Sequence, residues 1–320
     1  MRRLLAAALL AAVAQAGWAV PASDDAQAAF AWLQKMAQAT HRLNYSGVFV
    51  YQREDRVETV RIVHRVDESG EHAKLVYLDG QPRETYRIDG DVLCFLPDGK
   101  TALLDKSRAR TLFPALLPEH SSELKASYAA RLAGRGRVAG RETQVVVLAP
   151  RDAYRYGHKF WADTETGLPL RAGVWQKEGE MVDRFSFTQV NIGGPIARSE
   201  VRPQLAGRRI IQHDPAQSPD GAIDSGWKVG SVPPGFKRIS AMKRTLPGQE
   251  ALVNHIVYSD GLAAVSIFIQ PAQPGTERGL SQRGALHVYT RLVADHDVKV
   301  LGEVPAATVR LIGDSISYEP

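Results

Sequence analysis

Cysteine is nearly absent: Cys94 is the single one in 320 residues. No intramolecular disulfide can form and no cysteine metal cluster can assemble. The thiol therefore reads as a small buried apolar side chain, with an intermolecular bridge as the minor alternative. Long apolar runs are missing beyond the N-terminus, and no later stretch reaches the roughly 20 residues that a membrane helix needs. A strong charge balance is missing too. The formal charge is +5, but leaving out Arg2 and Arg3 takes 40 basic residues to 38 against 35 acidic, or +3. That is too mild to imply nucleic-acid binding.

Catalytic signatures are equally scarce. There is no His-Glu-x-x-His, Gly-x-Ser-x-Gly or Gly-x-x-x-x-Gly-Lys. Ser122-x-x-Lys125 and Ser240-x-x-Lys243 imitate a serine–lysine nucleophile, but the Lys-Thr-Gly strand that should accompany them is absent. Gly134-x-Gly136-x-x-Ala139 precedes a strand rather than a helix and carries Arg135 and Arg137, so it is no dinucleotide fingerprint. His64 and His72 could meet across adjacent strands, yet nothing supplies a third metal ligand. The reading is a binding protein: not an enzyme, with no cofactor and no metal.

What is present begins with residues 1–22, which read as a signal peptide. Arg2-Arg3 precede an apolar core, and Ala14-Gln15-Ala16 offers a small-residue cleavage site. No cysteine follows that core, which argues against a lipoprotein anchor. The expectation is an exported, soluble protein that begins between Gly17 and Ser23.

From Ser23 to about His41 an apolar stripe of Ala26, Phe30, Leu33 and Ala37 predicts an amphipathic helix, with Asp24 and Asp25 in its first turn. Five strand-like runs follow, over residues 45–51, 58–66, 73–78, 83–88 and 92–96, with Asp79-Gly80 and Asp89-Gly90 as turns. Residues 101–127 are broken by Pro114 and Pro118, and the apolar part at 112–117 suits a lid or a plug. Residues 144–148, 156–162, 168–176 and 181–190 then form a four-stranded meander. Its third strand sets Leu168, Leu170, Ala172 and Val174 against Pro169, Arg171, Gly173 and Trp175, the mark of an antiparallel sheet with two unlike faces. A large antiparallel sheet must curl. The curled wall would carry Phe49, Tyr51, Ile62, Leu75, Tyr77, Leu168 and Leu170, with Phe30 and Leu33 of the helix over it. A filled core and an apolar cavity are both open readings.

Residues 203–226 have linker composition, with one short strand at 209–212. A smaller domain over 227–320 then centres on a hairpin of 252–258 and 262–270 turned by Ser259-Asp260-Gly261. Strands at 286–293 and 298–304 and a helix after Pro305 complete it.

Pro150-Arg151-Asp152, Tyr154-Arg155-Tyr156-Gly157, Asp163-x-x-Thr166-Gly167-Leu168-Pro169-Leu170, Gly47-x-Phe49-Val50-Tyr51, Trp227 with Pro233-Pro234-Gly235-Phe236, and Tyr258-Ser259-Asp260-Gly261-Leu262 occur in this order. In these motifs and their spacing the chain resembles the MucB/RseB family of periplasmic regulators of envelope-stress sigma factors. The resemblance implies a mostly β, α+β fold: a LolA/LolB-like curled antiparallel half-barrel with capping helices over 23–202, then the smaller α+β domain. It implies that the small domain and the inter-domain face hold the periplasmic segment of an inner-membrane anti-sigma factor (MucA/RseA-like). That segment would be shielded from a stress protease and released on sensing lipid or lipopolysaccharide fragments. Tyr258, Asp260, Leu262 and Phe268 are the partner-contact candidates, and the nine apolar residues above are the lipid-cavity candidates. No nucleic acid is expected, and a homo-oligomer stays open. A periplasmic lipid or lipoprotein carrier is the alternative that a half-barrel alone would suggest.

Overall fold

The computed structural model describes residues 23–53, 56–89, 91–105, 117–118, 121–176, 181–213, 226–245 and 252–319. The expected signal peptide, the 112–117 segment apart from Leu117, and residues 214–225 of the expected linker lie outside them. No described helix is long and apolar enough to cross a membrane.

Helix α1 (Ser23–Arg42) opens with Asp24 and Asp25 and closes with His41 and Arg42, charges that suit both ends of its dipole. Its stripe of Ala29, Leu33, Met36 and Ala37 is buried. The Lys35 ammonium donates to the carbonyls of Thr164 and Glu165 and fixes the helix across the sheet.

The large sheet holds twelve strands in the order β12-β6-β5-β4-β3-β2-β1-β11-β10-β9-β8-β7. They are β1 (Tyr45–Arg53), β2 (Arg56–Asp67), β3 (Gly70–Tyr77), β4 (Arg83–Ile88), β5 (Asp91–Phe95), β6 (Thr101–Asp105), β7 (Tyr128–Val138), β8 (Arg141–Pro150), β9 (Gly157–Asp163), β10 (Pro169–Trp175), β11 (Met181–Ile192) and β12 (Arg209–His213). Pairing is antiparallel except between β12 and β6. The sheet does not close, so β7 and β12 are its edges. A short helix, α2 (Arg198–Val201), follows β11.

Two local devices shape this sheet. At Gly47 an added Cβ would strike the Gln189 carbonyl and the Phe187 ring, so only glycine lets β1 and β11 approach there. The turn between β9 and β10 is built on Asp163, whose carboxylate accepts the Thr166 amide (2.8 Å), the Thr166 hydroxyl (2.7 Å) and the Arg141 guanidinium (2.6 Å). Gly167, at φ +82°, completes it. The Asp-x-x-Thr-Gly motif is thus a turn device.

The smaller sheet has the order β14-β15-β16-β19-β18-β17. Its strands are β14 (Lys237–Thr245), β15 (Leu252–Ser259), β16 (Ala264–Pro271), β17 (Gly279–Arg283), β18 (Leu286–Val293) and β19 (His296–Gly302). Helix α3 (Ala306–Asp314) buries Val309 and Ile312 against one face, and a two-stranded ribbon of β13 (Trp227–Val229) and β20 (Ile316–Tyr318) flanks it.

The protein is mostly β, as its alternation predicts. Strands β6, β14 and β17 escape a pattern reading. β6 is short and lacks alternation, and β14 is rich in Lys and Arg. β17 is exposed along its whole length. β12, expected as the short strand at 209–212 inside the linker, is held by a parallel pairing to β6. β14 and β17 are edge strands, where exposed polar residues are normal and hide the period.

Candidate functional site

The inner face of the large sheet is assembled by strict alternation. Phe49 and Tyr51 on β1, Ile62 on β2, Leu75 and Tyr77 on β3, and Leu170 on β10 all project to the side that α1 covers. With Leu33, Phe30 and Leu168 they belong to one contiguous apolar cluster. Leu33, Phe49, Ile62, Leu75, Leu168 and Leu170 are buried, and Phe30, Tyr51 and Tyr77 pack partly buried against them. Burying each such aliphatic or aromatic side chain contributes about 1.5–3 kcal/mol. Phe49 meets Phe185 and Phe187 edge-on, with centroids 6.1 and 5.7 Å apart. Leu117 joins the same cluster.

One end of this face is polar. Glu71 accepts from His41 (2.9 Å), His64 (3.0 Å) and Arg87 (2.7 Å). Burial alone would raise the Glu71 pKa; the hydrogen bonds from both histidines and the Arg87 charge outweigh it and bring the carboxyl down to about 2. Tyr45 stacks on His64 with centroids 4.6 Å apart. The thought that His64 and His72 could meet is corrected by the register. His64 faces Ala73 and His72 faces Arg65, so the two rings project to opposite sides of the sheet. Among the described residues no group of three His, Cys, Asp or Glu could hold a metal ion.

The second feature is the seam between the domains. The loop after β8 places Arg155, whose side chain is fully buried, against Asp260 at the tip of the β15–β16 hairpin, with Nη1 and Oδ2 2.7 Å apart. The other Arg155 donors reach Asp152 and the Pro234 carbonyl (2.6 Å). Asp260 also accepts the amides of Leu262 and Ala263 through Oδ1, so the residue that shapes the turn also anchors the domain. Tyr128 donates to the same carboxylate at 3.3 Å. Burial, and next the Asp260 charge, push the Tyr128 hydroxyl pKa well up, which keeps it a donor. Gly235 sits at φ +85°, and a Cβ there would come within 2.6 Å of the Ser127 hydroxyl. Thr308 of α3 donates to the Tyr154 carbonyl (2.6 Å), and the ion pairs Arg53–Glu303 and Lys237–Glu123 close the rim.

The four partner-contact candidates divide here. Asp260 is buried in the seam, and Leu262 packs against the apolar cluster of the large sheet. Tyr258 packs against the small domain's core, and Phe268 stacks on His255 at 4.2 Å on the sheet face away from it. Arg155, Tyr128, Glu71 and Arg87 were not singled out from sequence. The one available signal was Arg155 inside Tyr154-Arg155-Tyr156; its partner lies 105 positions away.

Residues 28–205 match the MucB/RseB N-terminal domain and residues 222–317 match the MucB/RseB C-terminal domain. The chain is 35% identical over 309 residues to the sigma factor AlgU regulatory protein MucB of Pseudomonas aeruginosa, covering 94% of each chain. It is 26% identical over 289 residues to the sigma-E factor regulatory protein RseB of Escherichia coli K12, covering 90% of each. A crystal structure of MucB in complex with MucA(peri) superposes with a TM-score of 0.72 at 31% identity, over 91% of this chain and 99% of that one. A second MucA/MucB complex gives 0.72 at 30% identity, over 92% and 99%.

Proposed function

This chain belongs to the MucB/RseB family, and from that membership we propose that it regulates an envelope-stress sigma factor by holding the periplasmic segment of an inner-membrane anti-sigma factor. The observation that carries the proposal is the whole-length likeness, both domains together, to MucB in complex with MucA(peri). In this reading residues 1–22 direct export and are removed, and the remaining chain works in the periplasm. The bound segment is shielded from a stress protease until the regulator lets go.

The small domain and the inter-domain face supply the contact. Tyr258 and Phe268 would act on the small sheet itself, while Asp260 and Leu262 would act by fixing that sheet to the large domain. The inner face of the large sheet is the sensing element. An acyl chain entering among Phe30, Leu33, Phe49, Tyr51, Ile62, Leu75, Tyr77, Leu168 and Leu170 would part the cluster that Leu262 packs against. The hairpin and its partner surface would then move. Each buried CH₂ contributes about 0.8 kcal/mol, so a chain of roughly a dozen carbons exceeds the 1–3 kcal/mol typical of allosteric coupling.

Co-purification from a periplasmic extract tests the proposal. A regulator brings down a fragment of a membrane protein. A lipid or lipoprotein carrier brings down acylated protein or free lipid, and that result alone would replace the regulatory reading with the carrier.

A further inference from the structure

The face of the large sheet turned away from the apolar cluster carries two neighbouring arginines, Arg171 and Arg184, that have no carboxylate partner among the described residues. Phe185 and Phe187 on β11 and Leu170 and Ala172 on β10 point inward, so Arg184, Ser186 and Arg171 point outward. The register sets Arg171 opposite Ser186 and Arg184 opposite Gly173, which makes the two arginines diagonal neighbours within reach of each other. They border a depression of about 200 Å³, lined also by Val50, Gln52 and Ser186.

Neutral groups order both guanidinium groups. Arg171 donates through Nε to the Ser186 hydroxyl (3.0 Å) and lies 5.3 Å from the centre of the Trp161 ring. Arg184 donates through Nη2 to Gln52 Oε1 (2.7 Å). Neither has a carboxylate partner among the described residues. Arginine elsewhere in this chain is commonly matched, as in Arg87–Glu71, Arg141–Asp163 and Arg278–Asp297. Burial, and next the Arg184 charge, lower the Arg171 pKa, so the pair sits in surroundings that disfavour two adjacent cations. An anion between them reverses that penalty.

The class of anion follows from the donors and the space. A guanidinium group is a planar fork that matches an oxyanion with two parallel hydrogen bonds. Two forks converging on one depression suit a group with three or more oxygens and more than one negative charge. The volume is below the roughly 300–1,000 Å³ of sites that enclose a whole small molecule. It accommodates one charged group and leaves anything attached to it outside.

We propose that Arg171 and Arg184, ordered by Ser186 and Gln52, form a binding site for a phosphate-class oxyanion on the outer face of the large sheet. The site is separate from the inner apolar cluster and from the inter-domain seam. The oxyanion is either free phosphate or the phosphomonoester of a lipid headgroup, and both present the same chemistry to the two forks.

The test is a calorimetric titration of the full chain with inorganic phosphate at low ionic strength. The wild type should bind with a saturable isotherm, and Arg171→Gln/Arg184→Gln should bind at least tenfold more weakly. Arg131→Gln, an exposed cation of the same sheet outside the depression, should leave the isotherm unchanged. Arg184 is itself exposed, so Arg184→Gln alone gives a second reading free of folding concerns and should cost several-fold. A second arm uses sedimentation with phosphatidic acid or phosphatidylcholine vesicles. Sedimentation with the first lipid only, lost in the double variant, assigns the anion to a headgroup; no sedimentation with either assigns it to free phosphate. Equal binding of phosphate by the wild type, the double variant and Arg131→Gln would overturn the proposal and leave ordinary screened surface charge.

Discussion

Arg155 and Asp260 meet across the domain seam at 2.7 Å, and both side chains are almost wholly out of solvent. One belongs to the loop after β8 of the large domain and the other to the hairpin tip of the small one, so the ion pair fixes how the domains sit together. Removing one partner of a buried pair typically costs about 3–5 kcal/mol, because the survivor is left charged and unpaired. Asp260→Ala should therefore lower stability by about that much, or separate the domains and let Arg155 reach water. Thermal denaturation and small-angle scattering distinguish the two outcomes. The double change Arg155→Met/Asp260→Leu should be milder than Asp260→Ala alone.

Acid should weaken the polar end of the sheet's inner face. The Glu71 carboxyl falls from its ordinary 4.5 to about 2 in the folded chain, since its bonds to His41 and His64 and the Arg87 charge outweigh burial. A depressed carboxyl stabilises the fold fully above its unfolded pKa, and that contribution disappears as pH falls through the folded value. The window is therefore pH 4.5 down to about 2. The contribution is on the order of 2 kcal/mol once partial exposure is allowed for. Glu71→Gln should flatten the stability-against-pH curve in that window, measured by urea denaturation at each pH.

A charge on the inner wall should separate sensing from holding. Ile62 and Leu75 face each other across β2 and β3 within the apolar cluster. Ile62→Glu or Leu75→Lys, in a variant that still folds by circular dichroism, should abolish amphiphile-triggered release while sparing partner binding. The assay is displacement of a labelled anti-sigma peptide by amphiphile below its micelle concentration. Equal displacement from wild type and folded variant would leave a filled core as the better account.

The domain boundary has its own test. Residues between Gly193 and Gly226 combine Pro203, Pro215 and Pro219 with scattered Gly, Gln and Ser. Limited proteolysis should cut there, outside α2 and β12, before either sheet. First cuts inside β1, β2, β15 or β16 would place the boundary elsewhere.

How much of this was legible in the sequence depended on whether the signal was local. Strands such as β2 and β3 alternate because one face is buried, and that period is written in residues such as Val60, Ile62 and His64 or Ala73 and Leu75, while β8 is legible as a continuous apolar run, buried from Thr143 to Leu148. Strand periodicity grouped the seven sheet side chains and the helical stripe of α1 supplied Phe30 and Leu33, and the structure brings all nine into one cluster. Edge strands β14 and β17 carry no such period, because neither needs a buried row. The seam was hidden for a different reason. Asp260 explains itself locally as the turn residue of a hairpin, and nothing near it announces Arg155, 105 positions earlier. The neighbourhood of the outer arginines Arg171 and Arg184 depends on the β10–β11 register, which sets them diagonally on one face.

The central claim is that this chain holds an anti-sigma segment with its small domain and inter-domain face. The most direct measurement is fluorescence anisotropy of the labelled periplasmic segment of an anti-sigma factor from the same cell, titrated with the full chain and with a chain lacking residues 223–320. The account predicts saturable binding by the full chain and a loss of at least tenfold for the shortened one. No binding by the full chain, or full affinity without residues 223–320, would contradict it.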